Sequence, residues 1–574
     1  MVSGTGLVAR IVSVTVLGLV TGVLASLATV VFLQAIELMN DWLLISSDRR
    51  AAAAGTDWLV VATIAVPALG GLAVGLVNLK IPGRRAGGPQ DVIEAVHVTD
   101  GRMAPRSGFL SAAASLLSLG TGASVGHYGP LVHLGATLGS LVGFAGAVST
   151  WTVRVGVACG VAAAIAAAFN APIAGIIFAH EVILRHYSLR AFAPVTVAAT
   201  ASHVIVTVIF AHPPLFEVAP VSVGHVGEYA GFIIIGILAA LVAVAYMRAI
   251  LFSQTLGERL AIPSCLKPMA AGVALGIAAL WLPGILGTGT DTMRLAVVDG
   301  AFGTSELAML LVAKILATAL CLGCGFAGGV FSPALFVGIF FGALAGDAAF
   351  MVFGDLRSDV SVYAICGMMA VASAVIGAPL ATILIVFELT RNYDLTTATM
   401  VSVVFSNVVC YQMFGRSIFD VQLRQRGFDL SLGRDRVVAG NMLIDSHVSR
   451  DFTALEPDMT PDEAMTRLVE NHHHEAYVLD GRGVIVGRVR FDDLVENSQQ
   501  ATTLSGLVLP TGPVLTPGMS IRDAMERIRR TGSASIPVVN ADEPAAMLGT
   551  VTEADLARAF LDMASGIRRE EHAS

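Results

Sequence analysis

Long stretches without a charged residue dominate the chain up to about residue 440. Four of them cover residues 107–153, 155–180, 315–346 and 360–387. Each exceeds the roughly 20 apolar residues that a helix needs to cross a bilayer. An earlier apolar run, residues 11–35, is longer than that of a signal peptide, and no clear cleavage site follows it. The pattern predicts an all-α polytopic membrane domain whose first helix is retained.

Beyond residue 440 the apolar stretches give way to short helical and β-rich segments. "TPDEAMTRLVE" precedes "YVLDGRGVIVGRV", and "SIRDAMERIRR" precedes "SIPVV". Each set reads as helix, strand, turn, strand, helix, and the Asp-Gly pair at 480–481 is a hairpin signal. We therefore predict a membrane domain over 1–425, a linker over 426–447, and two α/β modules over 448–505 and 506–574.

Composition agrees with this division. The 574-residue chain is 55% hydrophobic and 14% charged, whereas about 25% of residues are charged in soluble domains. The segment from residue 441 holds 21 of the 43 acidic residues and 12 arginines but no lysine. This acidic tail gives no sign of nucleic-acid binding. A soluble enzyme is excluded by composition, and no nucleophile, base and acid set appears.

Two short motifs raise the question of metal or redox chemistry. Cys321 and Cys324 form a C-x-x-C inside the apolar stretch "LCLGCGFAGG", where small residues packing a helix explain them better. The run His472–His474 fits a helix end that faces a turn better than a metal site. We therefore predict no metal site.

Glycine and proline interrupt the apolar stretches at four places. These are "GHYGP" (126–130), "FNAPIAG" (169–175), "GFAGGVFSP" (325–333) and "GAPLATI" (377–383). Each would break a spanning helix. Lipid cannot satisfy the freed backbone groups, so the breaks should face one another or a wet cavity.

The interrupted segments repeat along the chain. Pro172 and Pro379 lie 207 residues apart, as do Glu181 and Glu388. "GHYGPLVHLGA" and "GGVFSPALFVGI" repeat at an offset of 203 residues. Repeated halves with broken helices are typical of transport proteins whose site lies near the membrane midplane. The two glutamates are functional candidates by their place in the membrane, although capping or pairing near helix ends explains them better.

Helix ends supply the chemistry at these breaks. The first turn of a helix offers free N–H groups and the positive end of the helix dipole. "GHYGP" and "GGVFSP" contain no formally charged residue. Several such ends would bind an anion without a formal charge, so that the ion can also leave.

These residues resemble the CLC family of chloride channels and chloride/proton exchangers, over roughly residues 10–425. "GHYGP", "GGVFSP", "FNAPIAGIIFAHE", "GAPLATILIVFELT" and "GRSIFDVQL" carry the resemblance. It implies a homodimer with one anion pathway per subunit, between two inverted repeats with broken helices. It also implies a central site at the N–H groups of Val330 and Phe331 and an outer site near Tyr128 and Gly129.

The chain departs from the family at both ends of the usual proton route. The family's gating glutamate falls on Tyr128, and a phenol with a pKa of about 10 stays neutral at physiological pH. Tyr128 is therefore expected to donate a hydrogen bond to the ion or to occlude the path. The inner proton-transfer glutamate of the exchangers falls on Val182, which cannot carry a proton.

Three further departures concern the walls of the pathway. The family's inner serine falls on Gly87, or on Gly88 with a one-residue slip, so no hydroxyl is available. The family's pore tyrosine falls on Phe419. His127 takes a position usually held by arginine or lysine. It would be either a pH-sensitive charge at the outer mouth or a hydrogen-bonded or interfacial histidine.

The tail resembles a tandem pair of CBS domains, modules that often bind adenine nucleotides. Thr552 and Asp555 match the family's ribose and phosphate position, and Asp493 matches in the first module, where Arg490 replaces the threonine. The resemblance implies that the tail binds ATP, ADP or AMP. The alternative is a structural tail that stabilises the dimer.

The favoured function is a proton-independent anion channel of the voltage-gated chloride type, with no required cofactor and with its CBS pair on the cytoplasmic side of a bacterial plasma membrane. One alternative is a chloride/proton exchanger with a different proton route. Others are a protein selective for another anion, such as nitrate or fluoride, and a regulatory sensor that conducts nothing.

Overall fold

The chain folds into two compact units, which meet in sequence between Phe428 and Asp429. The computed structural model describes residues 4–145, 150–210, 221–298, 300–354, 358–430, 439–440, 442–497, 501–531, 535–540 and 546–572. The first unit is helical, and the second combines helices with short strands.

The described part of the first unit contains eighteen α-helices. They are α1 Gly4–Trp42, α2 Ser47–Ala52, α3 Asp57–Asn78, α4 Pro89–Val98, α5 Pro105–Gly120, α6 Tyr128–Ala145, α7 Thr150–Phe169, α8 Pro172–Phe178, α9 Leu189–Val204, α10 Glu228–Arg259, α11 Lys267–Ala279, α12 Thr290–Ala296, α13 Thr304–Gly323, α14 Phe331–Phe353, α15 Val360–Ile376, α16 Pro379–Thr390, α17 Tyr393–Met413 and α18 Ile418–Gln425. Helix α8 continues as a π-helical turn, Ala179–Leu184.

Eight helical stretches of the described residues are long and apolar enough to cross a membrane. The helix predicted over residues 11–35 extends over Gly4–Trp42. It continues through Glu37 and Asp41, whose side chains are exposed in the single chain.

The proline breaks act as helix starts. Proline stands at the first or second position of α4, α5, α8 and α16, where its missing N–H costs nothing. The cysteines of the C-x-x-C are free thiols at the end of α13, with Cys321 buried.

Two glutamates tie the repeated segments to each other. Glu181 follows α8, and its carboxylate accepts hydrogen bonds from the N–H groups of Leu380 (3.1 Å) and Ala381 (2.9 Å) at the start of α16. Glu388 lies near the end of α16 and accepts from Ile173 (2.9 Å) and Ala174 (2.7 Å) in α8.

Each segment therefore caps the helix that begins the other. Such exchange of equivalent contacts is what a two-fold axis between the halves produces. The structure gives both glutamates a capping contact, the role that the sequence favoured.

The second unit contains two modules of the predicted element order. The first consists of β1 Thr453–Leu455, α19 Pro461–Glu470, β2 Glu475–Leu479, β3 Ile485–Arg490 and α20 Phe491–Asn497. The second consists of α21 Ile521–Thr531, β4 Ser535–Val539, β5 Met547–Thr552 and α22 Glu553–His572. The sequence did not indicate β1, because three residues are too short for a periodic signal.

Each module has an apolar core around an antiparallel hairpin, β2 with β3 or β4 with β5. The second core also contains Ile444, from the segment predicted as linker, and Val508, from the predicted second module, packs against the first core. Thr460 and Glu463 form a capping box at the start of α19, and hydrogen bonds from Thr460 lower the pKa of Glu463. His472 has a φ of 58° just after α19. The histidine run therefore lies at a helix end, as predicted.

Replacing Glu388 by glutamine should lower the stability of the membrane unit. An amide offers one acceptor oxygen where the carboxylate has two, so one N–H of α8 loses its partner, at a cost of about 1–3 kcal/mol. Thermal unfolding of the purified protein in detergent should show a lower midpoint for Glu388→Gln and for Glu181→Gln. Glu258→Gln, at an exposed position near the end of α10, is the control, and equal midpoints for all three would contradict the capping role.

Candidate functional site

The two Gly-rich breaks of the membrane unit pair directly with each other. The N–H of Gly126 donates to the carbonyl oxygen of Gly329 at 2.8 Å, and the N–H of Gly329 donates back to Gly126 at 2.7 Å. A Cβ on Gly129 would lie 2.9 Å from the Cα of Gly329, so the approach requires glycine. The pairing brings the starts of α6 and α14 together, as the interrupted pattern predicted.

Three side chains fix the loop before α14. Asn78 donates to the carbonyl oxygen of Gly325 at 2.9 Å, and the Ser118 hydroxyl accepts from the N–H of Ala327 at 3.0 Å. The buried Tyr246 on α10 donates to the carbonyl oxygen of Val330 at 2.8 Å. Nothing in the sequence near the motif pointed to these residues, because they lie on distant helices.

A small cavity lies at the meeting point, and we call it the central cavity. Its volume is about 20 Å³, enough for about one water molecule. None of its lining residues carries a formal charge. They are Pro89, Tyr128, Gly129, Val132, Ile165, Phe178, Val330, Phe331, Ile376 and Phe419.

Four helices begin at this cavity. Lining residues stand at or next to the first positions of α4 (Pro89), α6 (Tyr128), α14 (Phe331) and α18 (Phe419). Residues in a helix's first turn have no carbonyl one turn earlier to bond with. Among the described residues, none accepts a hydrogen bond from the N–H of Gly129 or Phe331. The cavity therefore combines free N–H groups with the positive ends of helix dipoles, which favours an anion.

The Tyr128 ring forms one wall of the central cavity. The residue is 2% exposed, stacks on Phe169 with ring centroids 3.9 Å apart, and meets Phe331 edge-on at 5.4 Å. Its hydroxyl is buried and has no hydrogen-bond partner among the described residues. An unpaired buried hydroxyl is unfavourable, so it is available to a ligand in the cavity.

Five of the residues predicted at the anion site meet at the central cavity: Tyr128, Gly129, Val330, Phe331 and Phe419. The other predicted positions do not line it. His127 is buried against the Tyr128 ring, with centroids 4.0 Å apart. Val182 is buried in the π-helical turn after α8.

Gly87 and Gly88 lie just outside the central cavity. The Gly87 N–H donates to the Ser111 hydroxyl at 2.9 Å, and the Gly88 N–H donates to Asp91 at 2.7 Å. Both N–H groups are thus already used by side chains. Gly87 lines a second cavity together with His133, a histidine that the sequence did not single out for the site.

The tail contains a larger cavity, of about 640 Å³, lined by both modules. Its lining residues are Asp451, Phe452, His472, His473, His474, Glu475, Tyr477, Ser535, Thr550, Thr552, Glu553, Ala554 and Ala557. Within the described ranges, no group of three or more His, Cys, Asp or Glu residues could hold a metal ion.

Polar contacts between the modules form part of this cavity's wall. The hydroxyls of Tyr477 and Ser535 lie 2.7 Å apart, and Ser535 donates to Glu475. Burial raises the pKa of Tyr477 to about 12, so its hydroxyl remains protonated at neutral pH.

One of the three predicted nucleotide contacts lines this cavity, namely Thr552. The Thr552 hydroxyl donates to Asp555 at 2.7 Å and accepts from its N–H at 3.1 Å. Asp493 does not line the cavity, and its Oδ2 atom is buried without a partner among the described residues.

Comparisons with known proteins match the membrane unit and the tail to different families. Residues 70–411 match the family model described as voltage-gated chloride channel, and residues 444–499 and 510–562 match the CBS domain model. A Ralstonia nicotianae protein that carries the name of a ClcB-like chloride channel protein is 30% identical over 405 residues, covering 69% of this chain and 94% of the relative.

Two solved structures share the fold. A slow cyanobacterial Cl⁻/H⁺ antiporter matches with a TM-score of 0.64 at 24% identity, covering 72% of this chain and 97% of that chain. A eukaryotic CLC transporter matches with a TM-score of 0.64 at 17% identity, covering 95% and 98%. The chain belongs to the voltage-gated chloride channel family, and its tail carries a tandem pair of CBS domains.

Proposed function

We propose that the protein is a chloride channel that passes anions down their gradient without moving protons. One observation carries the proposal: the cavity where four helix starts meet is lined by uncharged residues, among them Tyr128, which cannot act as a carboxylate gate. The N–H groups and the phenol hydroxyl would hold a chloride ion weakly enough to release it.

A proton would lack a relay along the usual route. Tyr128 and Val182 occupy the two positions where family exchangers carry glutamates. Glu181, next to Val182, is occupied by the two N–H groups of α16 at 3.1 and 2.9 Å. It is therefore held as a helix cap and is not free to replace the missing carboxylate.

Tyr128 would serve as both gate and ligand. The cavity holds about one water molecule, and chloride is larger, so the ring must shift before an ion enters. Aromatic contacts with Phe169 and Phe331 hold the ring in place, each worth about 0.5–1.5 kcal/mol. Contacts of this strength would allow thermal motion to displace the Tyr128 ring often.

We further propose that the chain acts as a homodimer in a bacterial plasma membrane, with its CBS pair in the cytoplasm. The glutamate caps support the dimer. Glu388 caps α8 beside Ile173 and Leu380, which are 48% and 51% exposed in the single chain. A carboxylate facing lipid is costly, and a second copy would cover this face.

The runner-up is a chloride/proton exchanger with a different proton route. The cyanobacterial protein that shares this fold is named as a Cl⁻/H⁺ antiporter, and this likeness supports the alternative. Direct recording of both ions separates the two functions.

Proteoliposomes loaded with chloride should release it without proton movement against a pH gradient. Chloride release and external pH would be recorded together for the wild-type protein. Uphill proton movement in fixed ratio to chloride would refute the channel proposal. Tyr128→Glu should alter the rate and its pH dependence without creating proton transport, because Val182 still interrupts the route, and Tyr128→Glu with Val182→Glu tests that reasoning.

Removing the phenol hydroxyl should weaken chloride binding without harming the fold. Tyr128→Phe deletes a buried hydroxyl that has no protein partner, so the unfolding midpoint should stay equal or rise. Chloride affinity, measured by calorimetry, should fall by up to about tenfold, the value of one hydrogen bond. Tyr246→Phe is the matched control: it removes a satisfied hydroxyl and should lower the midpoint. Unchanged chloride affinity in Tyr128→Phe would rule out the hydroxyl as a ligand.

For the tail, we propose that the 640 Å³ cavity binds an adenine nucleotide that modulates the channel. Calorimetry on the full-length protein with ATP, ADP and AMP should detect binding to the wild type. Thr552→Val should weaken it about tenfold through loss of a hydrogen bond. Thr502→Val, at an exposed position outside the cavity, should bind normally. Absence of binding by all three nucleotides would favour a purely structural tail.

A further inference from the structure

Two cavities lie on either side of the segment that leads into α4. Pro89 lines the central cavity, whereas Gly87 lines a second cavity of about 260 Å³. On α6, Val132 lines the central cavity, whereas its neighbour His133 lines the second cavity. The start of α4 and this turn of α6 therefore form the partition between the two cavities.

The His133 ring fills the space that a side chain at position 87 would need. A Cβ on Gly87 would lie 2.3 Å from Nε2 of His133, so the ring fits only because residue 87 is glycine. His133 is 5% exposed. No described residue hydrogen-bonds to its ring, although the ring lines the second cavity. The partition thus carries a buried polar side chain with unused hydrogen-bonding capacity.

The second cavity carries the charges that the central cavity lacks. Arg85, Arg102, Asp91 and Glu94 line it. Asp91 pairs with Arg85 at 2.7 Å and with Arg426 at 3.0 Å, and Glu94 pairs with Arg426 at 3.0 Å. Two arginines and two carboxylates thus line the cavity, and Arg426, which does not line it, pairs with both carboxylates. The guanidinium groups of Arg85 and Arg102 are the cationic groups that an anion in this cavity would meet.

The backbone at the partition has little left to offer an ion. The Gly87 N–H is used by Ser111 and the Gly88 N–H by Asp91, and residue 89 is proline, without an N–H. An anion that crosses from the charged cavity to the central one leaves arginine behind before it reaches the N–H groups of α6 and α14. His133 is a polar side chain at the boundary between the two cavities, in contact distance of position 87.

We propose that His133 is the inner gate and specificity residue of the anion pathway. Its ring N–H donates to the ion during the crossing, and its ring sets the width of the passage. The residue does this from α6, the helix that also carries Tyr128, so one helix would hold both gates. This inference rests on the proposed anion pathway and adds to it a second constriction.

A swap of side chains across the partition tests the proposal. Four proteins would be compared: wild type, His133→Ala, Gly87→Ser, and the double variant. The readouts are chloride efflux from proteoliposomes, the permeability ratio of thiocyanate to chloride, and the unfolding midpoint in detergent. His133→Ala should widen the passage, raising the thiocyanate ratio about tenfold. Gly87→Ser alone should crowd the ring and lower efflux at least about tenfold, whereas the double variant should recover to within about threefold of the wild type.

Two further measurements provide a control variant and a test that does not depend on conduction. His203→Gln alters a histidine on α9 that lines neither cavity and should match the wild type in all three readouts. Wild-type selectivity in a stable His133→Ala would overturn the gate. If wild-type protein conducts no anion, the channel proposal fails by itself. Chloride calorimetry on wild type and His133→Ala then decides the inference, because an equal affinity would overturn it.

Discussion

The antiparallel pairing of Gly126 with Gly329 is the constraint on which the membrane unit's site depends. Two short hydrogen bonds hold the loops before α6 and α14 against each other. Because these loops are not helical, their backbone groups need partners inside the membrane, and each loop supplies those of the other. The free N–H groups of both following helices then face one small space. A side chain at position 129 would separate the loops and disperse those N–H groups.

Charge is kept out of this space and concentrated just beyond it. The central cavity has no formally charged lining residue, whereas the neighbouring cavity holds arginines paired with carboxylates. Arg185 and Asp420 form a further pair at 2.7 Å, beside the start of α18. Because these arginines are paired with carboxylates, they would not hold an ion tightly, and the helix dipoles at the central cavity would bind it only briefly. This arrangement favours transient binding of an anion over tight binding.

The sequence predicted the parts of this structure that have a local signature. The uncharged runs predicted the membrane helices, and glycine and proline predicted where those helices are interrupted. The repeated "AP" segments indicated two related halves. The alternation in the tail gave its modules, apart from β1, which is too short to show a period. Motif positions such as Tyr128 and Phe331 therefore came together at one cavity.

Residues that act from a distance had no such signature. Tyr246 stands in an ordinary apolar helix, and only the folded chain brings its hydroxyl to Val330. His133 lies one turn beyond a recognised motif, but its importance follows from the missing side chain at position 87. When a side chain from one segment fills the space left by a glycine in another, neither segment's sequence shows this contact by itself. The same holds for the use of the Gly87 and Gly88 N–H groups by Ser111 and Asp91.

The exchanged glutamate caps have a consequence for how the protein is made. The N–H of Ile173 finds its acceptor in Glu388, 215 residues later in the chain. During synthesis the first half therefore enters the membrane with the start of α8 uncapped, and exposed amide groups in lipid are unfavourable. The first half can therefore complete the hydrogen bonding at the start of α8 only after the segment that carries Glu388 has been made.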